Sequence, residues 1–419
     1  MHKYIGNIIR FNRIKAKKTQ QEVAAGICSI SHLSKIEKGV YLPNQETLHL
    51  LLERIGKKID FEKDQHQRLV KLIDDFYYHW SYSEVSQMKS TFEMMEKEES
   101  HYIVSDYLNR YLLAQLAYEL NEKNYEKAES LLYNLDNLEI MSNADMSKFV
   151  VLKMSFLNKY KDSKKAAEYA ESNENLIVSD DKAEYFYQKG LIYSYNISPS
   201  LSLIHMNKAY ESFGKGTNFT RMITCKSVMA INYSRLGLMK EAEKEYIELL
   251  RMLSKFRNEN MLHETRYNYG IFLKNANRYD EALVVFKSCE QYFSTKEEHQ
   301  CLLILAMWET KLHLNDLQEE EILEFTSSFK NSASKCKLHK KYLVYADLMI
   351  LKSKKNEKEY YRLLETNYLR LIEKENSYIE IRKRYLELLD YYKNKNHSKY
   401  QKLLVEFHQN EESMEMIRW

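Results

Sequence analysis

The sequence predicts an all-α chain in two parts, and three observations predict it. Nine glycines and two prolines in 419 residues are far too few turn-formers for a β-sandwich or barrel. From about Phe61 onward, aromatic and leucine-rich helical stretches alternate with short polar turns, and one pattern within them recurs at a helical-hairpin period. Ahead of that array lies a run of short helices in which residues 1–60 hold 11 Lys/Arg against 5 Asp/Glu, although the whole chain carries only +3. The length admits two or three folding units. The boundary is expected near residue 62, giving a head over 1–62 and an array over 63–419.

In the head, Ile5, Ile8, Ile9 and Phe11 mark a first amphipathic helix, stopped by the Lys15-Ala16-Lys17-Lys18 run. Thr19-Gln20-Gln21-Glu22 is a capping box: the threonine oxygen accepts from a backbone N–H three residues on, and Glu22 reaches back. Val23, Ala24 and Ala25 supply a small-residue face, and Gly26 ends this second helix. Ser29 caps a third, from Ile30 to Lys38, closed by Gly39. Pro43 opens a fourth helical region, with Leu48, Leu51, Leu52 and Ile55 at helical spacing. Val23, Ala24, Leu33 and Ile36 are expected in the core. Cys28 is expected to pack rather than to sense redox state.

The segment TQQEVAAGICSISHLSKIEKG followed by LPNQETLHLLLERIG resembles the helix-turn-helix of the phage-repressor class. Its ICSISHLSKIE stretch is most similar to the peptide-regulated PlcR and NprR type. The resemblance implies that the third helix enters the major groove and reads base edges with its N-terminal half. By register Ile30, Ser31 and Lys35 then face bases, with His32 and Ser34 on the flank. A lysine there donates to guanine O6 or N7, and Ile30 packs on a thymine methyl. Gln20 and Ser29, at helix N-termini, resemble residues that bond phosphates and set docking register. Lys15, Lys17 and Lys18 add positive field. Arg13 and Glu37 resemble a structural ion pair and are kept out of the site.

In the array, a polar turn precedes Glu-Ala or Lys-Ala and then an aromatic. The small anchors are Ala128, Ala166, Ser202 (ahead of Ala209), Ala242 and Ala282, with Tyr246 and Phe286 as aromatics. Small residues let the two helices of a hairpin approach, and the aromatic fills the gap to the next. Eight or nine helix pairs are expected. Leu236-Gly237 and Arg266-Tyr267-Asn268-Tyr269-Gly270 look like first-helix signatures of tetratricopeptide repeats, which implies a superhelix with an extended groove.

Reader plus array is the layout of the peptide-pheromone receptors grouped as Rap, Rgg, NprR, PlcR and PrgX, and the layout here is similar to NprR. The resemblance implies a short signalling peptide bound in the groove, often through asparagine amides, which offer donor and acceptor together to an extended peptide. Candidates are Asn196, Asn232 and Asn268, with Arg235, Arg266 and Tyr267 beside them. Asn232 and Asn268 are a helical turn out of step against the alanine anchors, and Asn268 matches the Asn-x-Gly pattern best.

Catalytic and phosphate-binding motifs of the common kinds are missing, and the thirteen histidines are scattered singly, so no catalytic residue, metal or cofactor is assigned. Phe213-Gly214-Lys215-Gly216-Thr217 reads as an inter-helix loop. Five dispersed cysteines fit reduced, mostly buried thiols. No signal peptide or 18-residue apolar span is seen, so a cytoplasmic protein away from membranes is expected. The expected function is a homodimeric quorum-sensing transcription regulator that binds an inverted repeat in double-stranded DNA under peptide control. The rival is an interaction effector of the Rap kind that binds or dephosphorylates a response regulator. A plain phage-type repressor ranks third, because dimerisation does not need so long an array.

Overall fold

The structure, a computed structural model, describes residues 4–58, 63–196, 198–256, 258–314, 317–336, 338–374 and 378–415. Every regular element among them is helical. The head forms α1 (Ile5–Lys15), α2 (Gln20–Ala24), α3 (Ile30–Glu37) and α4 (Gln45–Arg54). The Thr19–Glu22 capping box is present in both directions, and the Ser29 hydroxyl accepts from the His32 N–H at 3.1 Å. Pro43 stays outside α4. The side chain of Asn44 accepts from the Thr47 N–H at 2.8 Å, so the helix begins after the asparagine rather than at the proline. Val23, Ala24, Leu33 and Ile36 are all buried.

Nine helix pairs follow among the described residues. They are α5 (Lys63–Ser81) with α6 (Val85–Lys97); then, after the short α7 (Glu99–Tyr102), α8 (Leu108–Asn121) with α9 (Tyr125–Asp136); and α10 (Asn143–Phe156) with α11 (Ser163–Ser172). Next come α12 (Lys182–Asn196) with α13 (Pro199–Lys215), α14 (Phe219–Arg235) with α15 (Met239–Phe256), and α16 (Glu259–Asn275) with α17 (Tyr279–Lys287). After the short α18 (Glu290–Phe293) stand α19 (Glu297–Leu314) with α20 (Glu319–Lys335), α21 (Lys340–Ser353) with α22 (Glu357–Leu363) and α23 (Leu369–Lys374), and α24 (Tyr378–Tyr392) with α25 (His397–Glu415). The anchors Ala128, Ala166, Ser202, Ala209, Ala242 and Ala282 are fully buried, each on the second helix of its pair. The reason for small residues is visible at Gly270 on α16, where an added Cβ would stand 2.5 Å from the Phe286 ring.

The chain forms two compact units, one of residues 1–192 and 207–222, the other of 193–206 and 223–419. The sequence boundary at residue 62 falls in 59–62, outside the described residues. In the first unit the head and the first hairpins share one apolar core, running from Ile5, Ile9 and Leu33 through Phe76, Phe92 and Tyr111 to Phe156. The second unit holds two clusters of its own, one about Tyr246 and Phe286, the other about Trp308 and Tyr385. All five cysteines are free; Cys225, Cys289 and Cys301 are buried, and Cys28 and Cys336 half-buried. Burial pushes the Cys301 thiol up to about 12, with Cys336 adding to the shift. Among the described residues no helix is long and apolar enough to cross a membrane.

Candidate functional site

On α3 the caps fix a helix whose inner face is Leu33, Ile36 and Glu37. Its outer face carries Ile30, Ser31 and Lys35, all exposed; Ile30, an apolar side chain, is 47% open to solvent. The Lys35 ammonium makes no ion pair among the described residues. His32 and Ser34 lie half-buried at the flank, and the His32 ring meets Tyr41 at 4.4 Å. Thus the five recognition-helix candidates share one surface, three at its centre and two at its edge. Val40, Tyr41 and Leu42 continue this surface as exposed apolar residues. Sequence reasoning passed over them, because loop residues without periodicity carry no facing signal.

Behind α3 lies an ion pair. Arg13 Nε and Nη2 donate to the two oxygens of Glu37 at 2.6 and 2.8 Å, and Arg13 Nη1 donates to the Lys18 carbonyl at 3.0 Å. Gln20, expected at a phosphate, donates its amide to Glu37 Oε2 at 2.8 Å. In this structure it belongs to the ion-pair cluster, because the start of α2 brings its amide over the Glu37 carboxylate. Ser29 spends its oxygen on the His32 cap and remains exposed. Lys15 is ion-paired with Glu99 at 2.8 Å; the Lys18 amine donates to the neutral Arg54 carbonyl, so Lys17 and Lys18 both keep an unpaired charge among the described residues.

The head is joined to the first hairpins by buried amides. Asn7, on α1, donates to Asn109 Oδ1 at 3.1 Å and to the Ile140 carbonyl at 2.5 Å, and its oxygen accepts from the Ile140 N–H at 3.2 Å. Asn109, on α8, donates to the same carbonyl at 2.8 Å. One turn on, Asn12 donates to the Ile103 carbonyl at 2.6 Å. All three asparagines are no more than 1% exposed. Arg10 adds an ion pair to Glu139 at 2.8 Å. Gly39, just past α3, has φ +70°, and the Ile140 side chain stands 2.4 Å from where its Cβ would be. The end of α3 therefore rests on the 139–140 turn.

The peptide candidates lie apart in kind. Asn232 is fully buried; its oxygen accepts from Ser194 Oγ at 3.0 Å and its amide donates to Ser202 Oγ at 2.8 Å. Expected in the groove, this amide ties α14 to neighbouring helices. Arg235 is exposed but reaches back to Ser194, donating to its carbonyl and, at 3.3 Å, to its hydroxyl. Tyr267 packs between Phe286 and Phe293, with ring centroids 5.9 and 6.4 Å away, and burial holds its phenol above the usual range. Arg266 and Asn268 are half-buried, with no side-chain hydrogen bond or ion pair among the described residues. The Asn196 side chain lies outside the described residues.

Fold and site together define a helix-turn-helix protein with tetratricopeptide-like repeats, similar to the quorum-sensing receptor group of Rap, NprR and their kin. The family model described as Helix-turn-helix matches residues 9–61. Transcriptional activator NprA of Geobacillus stearothermophilus is 24% identical over 285 residues, 64% of this chain and 68% of its own. Regulatory protein RapD of Bacillus subtilis (strain 168) is 27% identical over 188 residues, 42% of this chain and 52% of RapD, so the match spans about half of that relative. Among solved structures, a Rap protein complexed with Competence and Sporulation Factor superposes with TM-score 0.69 at 13% identity, covering 84% of this chain and 99% of that one. The apo form of the quorum sensor NprR from B. thuringiensis superposes with TM-score 0.62 at 17% identity, covering 82% and 99%.

Proposed function

We propose that this chain is a cytoplasmic transcription regulator that binds DNA through α3 and is controlled by a short signalling peptide held by its repeats. The observation that carries the reading is the uncommitted outer face of α3, with Ile30, Ser31 and Lys35 free for base edges, on a head joined to the first hairpins by buried amides. A rigid joint of this kind converts a change in the hairpins into a change in where α3 points. As a homodimer the protein presents two reading helices to half-sites ~34 Å, or a multiple of that, apart. Control is a population shift: moving from 1:99 to 99:1 requires the peptide to prefer one arrangement by about 5.5 kcal/mol. Of the peptide candidates on α16, Asn268 and Arg266 are the two left available for an extended peptide.

The test is selection of duplexes from a randomised library by the full-length protein, at fixed salt because the phosphate contribution masks specificity, with and without a short-peptide extract of the producing cells. An enriched inverted repeat whose recovery changes with the extract supports the reading. Absence of any enriched motif in both conditions overturns it, and loss of phosphate from a response regulator then becomes the assay for a Rap-like effector. Within the first outcome, Lys35→Ala is expected to weaken specific binding by about 1 to 3 kcal/mol, the worth of one base contact, and to leave peptide affinity unchanged. Equal loss of both would remove Lys35 from the reading face.

A further inference from the structure

Inside the first unit, α5, α6, α8, α10, α12 and the start of α14 enclose a cleft of about 170 Å³. That is smaller than the ~300 Å³ at which pockets for whole small molecules begin, and it suits the end or one side chain of a larger ligand. Its walls mix apolar side chains such as Trp80, Leu120 and Leu191 with a polar floor. Among the lining residues Glu184 is the single carboxylate, against two cations, Lys159 and Arg221. Arg221 is committed: it pairs with Glu184 at 3.2 Å, donates to the Ser81 carbonyl at 3.3 Å, and lies over the Tyr187 ring at 4.9 Å. Lys159, on the π-helical turn Leu157–Lys161, makes no ion pair among the described residues, so the cleft keeps one uncompensated positive charge.

A second observation is independent of charge. Gln188 is 7% exposed; its amide N–H donates to Glu184 Oε1 at 2.8 Å, while its own Oε1 is buried with no hydrogen-bond partner. A buried acceptor left open is destabilising, and a ligand N–H would remove that cost. The crowding of the cleft, and next the Arg221 charge, hold the Lys159 ammonium below the usual lysine range, although its side chain remains accessible. The cleft therefore asks for a group with an anion at one end and an N–H donor close by.

Resting on the peptide-receptor reading, we propose that this cleft seats a carboxylate of the bound peptide, with Lys159 as its charge partner and Gln188 Oε1 accepting a peptide N–H. A C-terminal carboxylate and an Asp or Glu side chain present the same chemistry. The probe is a synthetic heptapeptide pool, randomised at every position, made with free or amidated C-termini and with or without Asp and Glu, and passed over immobilised full-length protein. Retained peptides are expected to bind Lys159→Gln at least about tenfold more weakly, as for loss of one charge-assisted hydrogen bond. Lys159→Arg, which keeps the charge, is expected to retain binding, so a general packing defect is separated from loss of the cation. Failure of amidated peptides assigns the terminal carboxylate; failure of the pool lacking Asp and Glu assigns the side chain. Equal affinity of wild type and Lys159→Gln for every retained peptide would overturn the carboxylate seat and leave the peptide reading standing. Retention of no peptide from any pool would overturn both.

Discussion

Replacing Arg13 with alanine is expected to destabilise the helix-turn-helix by about 3 to 5 kcal/mol, the cost of leaving a buried charge without its partner. Glu37 is 2% exposed, and both of its oxygens accept from the Arg13 guanidinium. Without Arg13 the carboxylate keeps only the Gln20 amide. Because the chain forms two compact units, global unfolding need not be two-state, and amide hydrogen exchange over α1 to α4 is the suitable measurement. Exchange in α1 and α3 is expected to accelerate by at least about a hundredfold, with α24 and α25 unchanged. The paired variant Arg13→Met with Glu37→Leu is expected to recover most of the loss, since a buried ion pair replaced as a pair by apolar side chains is often neutral. A single variant that lost less than about 1 kcal/mol would show that water reaches Glu37, contrary to its burial.

Asn7→Ala should come next in size. The substitution leaves the Ile140 N–H without an acceptor and Asn109 Oδ1 without its donor. Each orphan is worth about 1 to 3 kcal/mol, and alanine returns roughly half a kcal/mol of helix propensity, so a net cost of about 2 to 4 kcal/mol is expected. The internal core of the head, with Ile8, Leu33 and Leu51 buried, is untouched. The expected signature is therefore selective: exchange rises along α1 and at the 139–140 turn, while the core of α3 keeps its protection relative to α1. Unchanged exchange at the Ile140 N–H would mean that the amide junction carries no stability.

Much of the head was legible because its signals are local. A capping box, a serine cap and a glycine stop each lie within four residues of the groups they satisfy, and Thr19, Ser29 and Gly39 stand where those rules put them. The alanine anchors were legible because a repeat reports the same packing constraint several times. The junction was not, because Asn7 and Asn109 are 102 residues apart and an asparagine on a helix reads as surface until its partner is known. Gln20 misled for a related reason: a glutamine at a helix start suits a phosphate and a neighbouring carboxylate equally well. Asn232 reads as a groove amide by resemblance, yet resemblance does not specify depth, and its amide is enclosed by two serines. Lys159 lies in a Lys-Tyr-Lys run that reads as solvated, and only the fold brings Arg221 and Gln188 beside it.

The amide junction bears on how such a protein can be recombined. Joined by an ordinary tether, the head would be a cassette, free to be grafted onto any array of hairpins. Here α1 is keyed to Asn109 and to the backbone of Ile140, and Gly39 leaves the space that the isoleucine side chain fills. A chimera cut at residue 62 would hand the transplanted head a foreign α8 and a foreign 139–140 turn, and its asparagines would be buried against nothing that answers them. The transplantable piece is longer than the helix-turn-helix: it extends through the first two hairpins to the turn after α9, and a crossover placed beyond that turn keeps lock and key in one inheritance.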